Sequence, residues 1–238
     1  MEKHKNQLLF TRPIAHRGLW NKDIPENSLL AYKNAVDNGF PIEIDLYGTK
    51  DGEIVVFHDQ NTFRLTGVYA DIFDLTLAEI KELNIGNSEQ KIPTLKEVLD
   101  LVNGQIPLLI EFKNQPNNSY AVKAVELLKQ YPHEFAVQSF NPVILLKIKK
   151  LAPHFTLGVL TTKKFDKGTG IIKRLVVGHM LLNRKVKPDF ISYDKELLFS
   201  KKVKKFKGKK LAWTIISKDE YLKVLKLCDN AIFEHFIP

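Results

Sequence analysis

Cysteine is nearly absent from this 238-residue chain: Cys228 stands alone, so no disulfide can form within it. That usage fits a reducing compartment. Long apolar runs are missing as well. The apolar part of the N-terminal segment covers only residues 8–10, far too short for a signal core or a membrane span, and nothing elsewhere approaches about 18 uncharged apolar residues. The expectation is a soluble, cytoplasmic protein. Acidic residues are in short supply, 27 Asp and Glu against 36 Lys and Arg, for a net charge of +9. The excess is concentrated: residues 201–210 hold seven lysines, and Arg184, Lys185 and Lys187 form a second cluster. A solvated helix face and loop explain such runs, and so does attraction to anionic substrates or lipid headgroups, which would give weak contact with an anionic membrane surface. Aromatic residues are not interleaved with the lysines and no nucleic-acid motif occurs, so nucleic acid is not an expected partner.

What the chain does have is globular composition, 44% hydrophobic and 26% charged. Its length gives a large core and suits one α/β barrel. The elements alternate. Strands are predicted over residues 13–16, 42–47, 53–58, 107–113, 135–138, 156–160, 189–193, 210–216 and 231–234. Helices fall between them at 28–37, 94–102, 119–130, 142–151, 195–206 and 219–227, and residues 161–187 read as basic and partly helical. Residues 60–92 break this rhythm with one short helix, 77–83, and read as an excursion from the scaffold. About eight strands alternating with helices mean a parallel sheet, and at this length the pattern favours the closed TIM (β/α)8 barrel over a doubly wound open sheet. The whole chain, 1–238, reads as a single domain, with 60–92 as a small insertion.

The chemistry is concentrated in residues 14–59, which read IAHRG, PENS, IEIDL, KDG and IVVFHD in order. Glu43 and Asp45 are two apart on one strand and share a face. Outward acids on a half-exposed strand would look the same, but polar residues at the C-terminal ends of barrel strands are usually functional. Glu111 and Lys113 repeat the spacing farther along. Three carboxylates at one barrel mouth cannot all stay ionised without a cation, and oxygen ligands favour Mg²⁺ or Ca²⁺ over zinc. Lys113 and Arg17 would then bind phosphate oxygens, although Lys113 could equally be a simple ion pair. His16 and His58 each follow an apolar run. Single histidines in such places are mostly structural; two of them flanking an acidic cluster suit one base and one acid. Asp59 either orients His58 or caps the next turn.

Taken together, His16-Arg17, Pro25-Glu26-Asn27-Ser28, Glu43-Ile44-Asp45, His58-Asp59, Ile92-Pro93-Thr94-Leu95, Glu111-Phe112-Lys113, Ser139-Phe140 and Trp213-Thr214 resemble the glycerophosphodiester phosphodiesterases over roughly residues 13–216. The resemblance implies a barrel with a small insertion after the second strand. It implies metal ligands at Glu43, Asp45 and Glu111, an acid–base pair at His16 and His58, and Arg17 and Lys113 on a small-molecule phosphodiester. Phe140 and Trp213 would line the glycerol side, though Trp213 on its strand also reads as plain core. The family usually ends its last strand with Thr-Asp before a proline; here the residues are Glu234-His235-Phe236-Ile237-Pro238. The implied reaction is metal-dependent hydrolysis to glycerol 3-phosphate and an alcohol. Two other readings follow from the same residues: a lysophospholipase D-type or glycerophosphate-polymer hydrolase at anionic surfaces, and a non-catalytic barrel that binds glycerophosphodiesters. The alcohol and the oligomeric state are not readable from the sequence.

Overall fold

The computed structural model describes residues 8–116, 118–164, 170 and 183–238. Its strands are β1 (Ile14–His16), β2 (Ile42–Gly48), β3 (Ile54–Val56), β4 (Leu108–Phe112), β5 (Phe135–Ser139), β6 (Leu157–Thr161), β7 (Phe190–Asp194), β8 (Lys209–Ile215) and β9 (Asn230–Phe233). All but β3 are parallel and follow one another around a cycle that closes because β1 pairs with both β2 and β9. The result is the eight-stranded TIM barrel that the alternation predicts. β3 stands outside the cycle, antiparallel to the upper end of β2, with Leu46 opposite Val56 and Gly48 opposite Ile54.

Helices α1 (Leu29–Asp37), α4 (Leu95–Val102), α5 (Tyr120–Lys129), α6 (Pro142–Leu151), α7 (Asn183–Val186), α8 (Lys201–Lys205) and α9 (Lys218–Val224) lie between barrel strands, while α2 (Phe63–Thr66) and α3 (Leu77–Glu82) follow β3. Their starts are written locally. Ser28 accepts from Ala31 N at the head of α1, and Asn141 accepts from Val143 N with Pro142 at the first turn of α6. Thr94 and Glu97 form a reciprocal capping box on α4. That helix then buries Leu95, Val98, Leu99 and Val102 against the barrel's outer face, where Ile42, Ile44 and Leu46 of β2 point.

One predicted helix is interrupted. Residues 195–206 contain a 3₁₀ turn at Lys195–Leu197 and then α8, because Ser200 is extended and starts a new helix. Of the basic segment 161–187, residues 165–169 and 171–182 lie outside the described residues.

The inward faces of the strands are layered. At the N-terminal end Ile14, Leu109, Ala136, Phe190, Leu211 and Ile232 pack with Leu9 into an apolar floor. Gly158 on β6 makes room for it, since a Cβ there would overlap the Phe190 ring. Two residues farther along the same strands stand His16, Glu111, Gln138, Ser192 and Trp213. Alternation with period two therefore sends each strand's next inward side chain to the C-terminal mouth.

Candidate active site

β2 and β4 are neighbours in register, with Asp45 opposite Glu111, which brings acids from two adjacent strands to one level. Glu43, Asp45 and Glu111 are buried, and one carboxylate oxygen from each lies within 4.8 Å of the others. Lys113, just beyond β4, places Nζ 2.9 Å from Asp45 Oδ1 and 3.0 Å from Glu111 Oε1. Arg17 sits in a left-handed turn (φ 59°) directly after β1. Its backbone N–H donates to Glu43 Oε2 at 3.3 Å and its Nη1 to Glu26 Oε1 at 2.7 Å, while Nε lies 3.9 Å from Asp45 Oδ2.

Electrostatics in this cluster divide the acids. Burial, then the charges of Asp45 and Glu111, push Glu43 well above the usual carboxylate range. Burial also raises Glu111, with Lys113 opposing it and Asp45 adding to it. For Asp45 burial works the same way, but Lys113, His58 and Arg17 outweigh it and hold the carboxyl far below its ordinary value. Two cations are thus too few for three buried carboxylates. Neither oxygen of Asp45 makes a directional hydrogen bond among the described residues, despite the ion-pair distances to Lys113 and Arg17. A buried all-oxygen donor set with surplus negative charge and unused lone pairs fits a hard divalent cation.

The two imidazoles stand edge to face in the pocket, ring centroids 6.5 Å apart. His16 is held through Nδ1 by Glu234 Oε2 at 2.8 Å, and His58 through Nδ1 by Asp59 Oδ1 at 2.7 Å. Both carboxyls lie below their ordinary values: burial opposes this, but the hydrogen bond from His16 lowers Glu234, and those from His58 and Arg64 lower Asp59. Ionised carboxylates only accept, so each Nδ1 carries the proton and each Nε2 is left for other partners. Burial lowers both histidines from the usual imidazole value, helped by Arg17 at His16 and Lys113 at His58. Of the two roles considered for Asp59, the geometry shows the one that orients His58.

These side chains line a pocket of about 200 Å³ with Gln138, Phe140, Leu160, Trp213, Thr214 and Ile232. The acids and cations occupy the β1–β4 side; Phe140, Leu160, Trp213 and Ile232 form an apolar wall on the β5–β9 side. Phe140 and Trp213 meet edge to face at 5.8 Å, so Trp213 is a pocket wall rather than only core. All nine residues singled out in the sequence converge here, with Asp45 just behind the lining.

Sequence reasoning missed four contributors. Glu234 follows β9 and supplies the acid behind His16; its position after a last barrel strand was the signal. Glu26, in the PENS stretch, accepts from both Arg17 and Arg64, and Arg64 also donates to Asp59. Gln138 is buried on β5 beside Glu111, and its Oε1 has no partner among the described residues.

Residues 16–237 match the model of the glycerophosphoryl diester phosphodiesterase family. A glycerophosphodiester phosphodiesterase of Caldanaerobacter subterraneus is 38% identical over 162 residues, covering 63% of this chain and 66% of that protein. The chain thus spans about two thirds of the length of such curated relatives. A phosphodiesterase of Oleispira antarctica, solved with the product sn-glycerol-3-phosphate, superposes with a TM-score of 0.77 at 25% identity, covering 96% of this chain and 94% of that one. A glycerophosphodiester phosphodiesterase of Thermotoga maritima gives 0.69 at 26% identity, covering 94% of each chain.

Proposed function

The chain belongs to the glycerophosphoryl diester phosphodiesterase family, and from that premise we propose that its barrel-mouth pocket hydrolyses small glycerophosphodiesters to glycerol 3-phosphate and an alcohol. The observation that carries this reading is the convergence of three buried acids with two carboxylate-backed imidazoles on one pocket. A divalent cation, Mg²⁺ or Ca²⁺, held by Glu43, Asp45 and Glu111 would draw negative charge from the non-bridging phosphate oxygens.

Arg17 and Lys113 supply the remaining positive charge beside those oxygens. One imidazole takes the proton from the attacking hydroxyl through Nε2 as the new phosphorus–oxygen bond forms. The other enters the step as the imidazolium, its Nδ1–H still on its carboxylate, and gives its Nε2 proton to the departing alcohol as the old bond breaks. The attacking hydroxyl is a water or the neighbouring hydroxyl of the glycerol; in the second case a cyclic phosphate forms first and water then opens it. Glu234 and Asp59 stabilise whichever imidazole becomes charged, at 2.8 and 2.7 Å. Phe140 and Trp213 offer the glycerol backbone an apolar wall, with the indole Nε1 as a hydrogen-bond donor.

The test is hydrolysis of glycerophosphocholine and glycerophosphoethanolamine by the purified protein with Mg²⁺ or Ca²⁺. His16→Ala and His58→Ala should each lower turnover about 10²- to 10⁴-fold while the fold melts normally. Full activity in both variants removes the acid–base assignment. Binding without turnover under every divalent ion leaves a non-catalytic binding barrel as the better reading.

A further inference from the structure

We propose that the β5–β9 side of the barrel mouth is a docking surface for anionic phospholipid bilayers. Four large apolar side chains stand out from the loops and first helical turns that follow four of the five strands there. They are Val143 after β5, Phe199 after β7, Ile216 after β8 and Ile237 after β9, with exposures of 66%, 72%, 52% and 61%. At the opposite end of the barrel, the exposed large apolar side chains among the described residues are only Leu8 and Leu227. Phe63, Val68 and Tyr69 in the segment after β3 are exposed as well; what sets the β5–β9 side apart is that it also carries the pocket's apolar wall, so greasy residues line both the inner and outer edge of that half of the mouth.

Charge selects the occupant. Lys163 after β6, and Lys201 and Lys218 at the heads of α8 and α9, are exposed and interleaved with the apolar positions. Nearby acids are partly cancelled, Glu196 by Lys164 and Glu220 by Lys195; exposed Asp219 offsets Lys218, which leaves Lys163 and Lys201 as the basic excess. A basic rim facing a second copy of itself would set lysine against lysine, which disfavours self-association. Nucleic acid would gain little from Val143, Ile216 and Ile237, because aliphatic side chains give bases nothing to stack on. Single apolar residues on separate loops, set among lysines, match the boundary between anionic headgroups and acyl chains.

This surface borders the site of the proposed reaction on one side, but its test does not depend on turnover. The full chain is sedimented with phosphatidylcholine vesicles and with phosphatidylcholine–phosphatidylserine vesicles at low and high salt. Binding is expected only to the anionic vesicles and should fall as salt rises. Lys201→Gln should weaken it about fivefold, and Phe199→Ser/Ile216→Ser about tenfold or more. In Phe199→Trp the added indole emission should shift to the blue on anionic vesicles. None of these positions touches the pocket, so glycerophosphocholine hydrolysis should be unchanged; if hydrolysis is absent altogether, the vesicle result still stands by itself. The proposal is overturned by failure to bind anionic vesicles at low salt. It is equally overturned if binding is untouched by the Phe199/Ile216 change, or if duplex DNA binds as tightly with the same insensitivity.

Discussion

Glu234→Gln isolates the contact that only the folded chain displays. Glu234 Oε2 lies 2.8 Å from His16 Nδ1, with the two side chains 18% and 14% exposed, so solvent screens the pair little. The substitution keeps the shape and removes the charge. A hydrogen bond to a charged group contributes about 1.5–3 kcal/mol, and this one matters most when the imidazole is protonated. The expected loss in kcat is therefore about 10- to 100-fold. KM should hardly move, because Glu234 does not line the pocket. The assay is steady-state hydrolysis of glycerophosphocholine by wild type, Glu234→Gln, His16→Ala and the double variant. If Glu234 acts only through His16, the double variant is no worse than His16→Ala. Nitrogen chemical shifts of His16 should show the proton on Nδ1 in the wild type and a mixture of tautomers in Glu234→Gln. A kcat within twofold of wild type, or losses that multiply in the double variant, would refute the reasoning.

Three further outcomes are expected. Lys113→Met removes the ammonium held by Asp45 and Glu111; divalent cations should then bind about tenfold tighter by calorimetry, while hydrolysis falls. Glu26 is held below its ordinary value: burial opposes this, but Arg64 and Arg17 win. A depressed carboxyl stabilises the fold above its unfolded value and loses that contribution as pH falls through the folded one. Melting curves below about pH 4.3 should therefore steepen in wild type relative to Glu26→Gln, and parallel curves would contradict the linkage. Thr94→Ala deletes one side of the capping box on α4 and should cost about 1 kcal/mol, read as a drop in melting temperature of about 2–4 °C.

The barrel was legible because its cause is local and repeated. Period-two strands alternate with capped amphipathic helices, and closure follows from their number and length. The acids were legible for the same reason: spacing by two fixes Glu43 with Asp45, and the paired register of β2 and β4 supplies Glu111. Glu234 was not legible as a partner of His16, because 218 residues separate them and only closure of β9 onto β1 makes them neighbours. The Glu26–Arg64 contact, 38 residues apart, depends likewise on how the segment after β3 folds back over the mouth. The break at Ser200 escaped periodicity, since Phe199, Val203 and Phe206 keep helical spacing straight across it. No helix among the described residues is long and apolar enough to cross a membrane.

His58 differs from the other charged groups of the pocket in how it is mounted. Most of them ride on barrel staves or on the residues just past their ends; His58 follows β3, on a strip that packs Val55, Phe57, Ile72, Ile80, Ile85 and Ile92 into a small core whose one stave residue is Tyr47 of β2. The gap between the two imidazoles is consequently set where separately built pieces meet. A remote side chain such as Ile80 thereby becomes a tuning screw for the span across the cleft, bearing on the staves only through Tyr47.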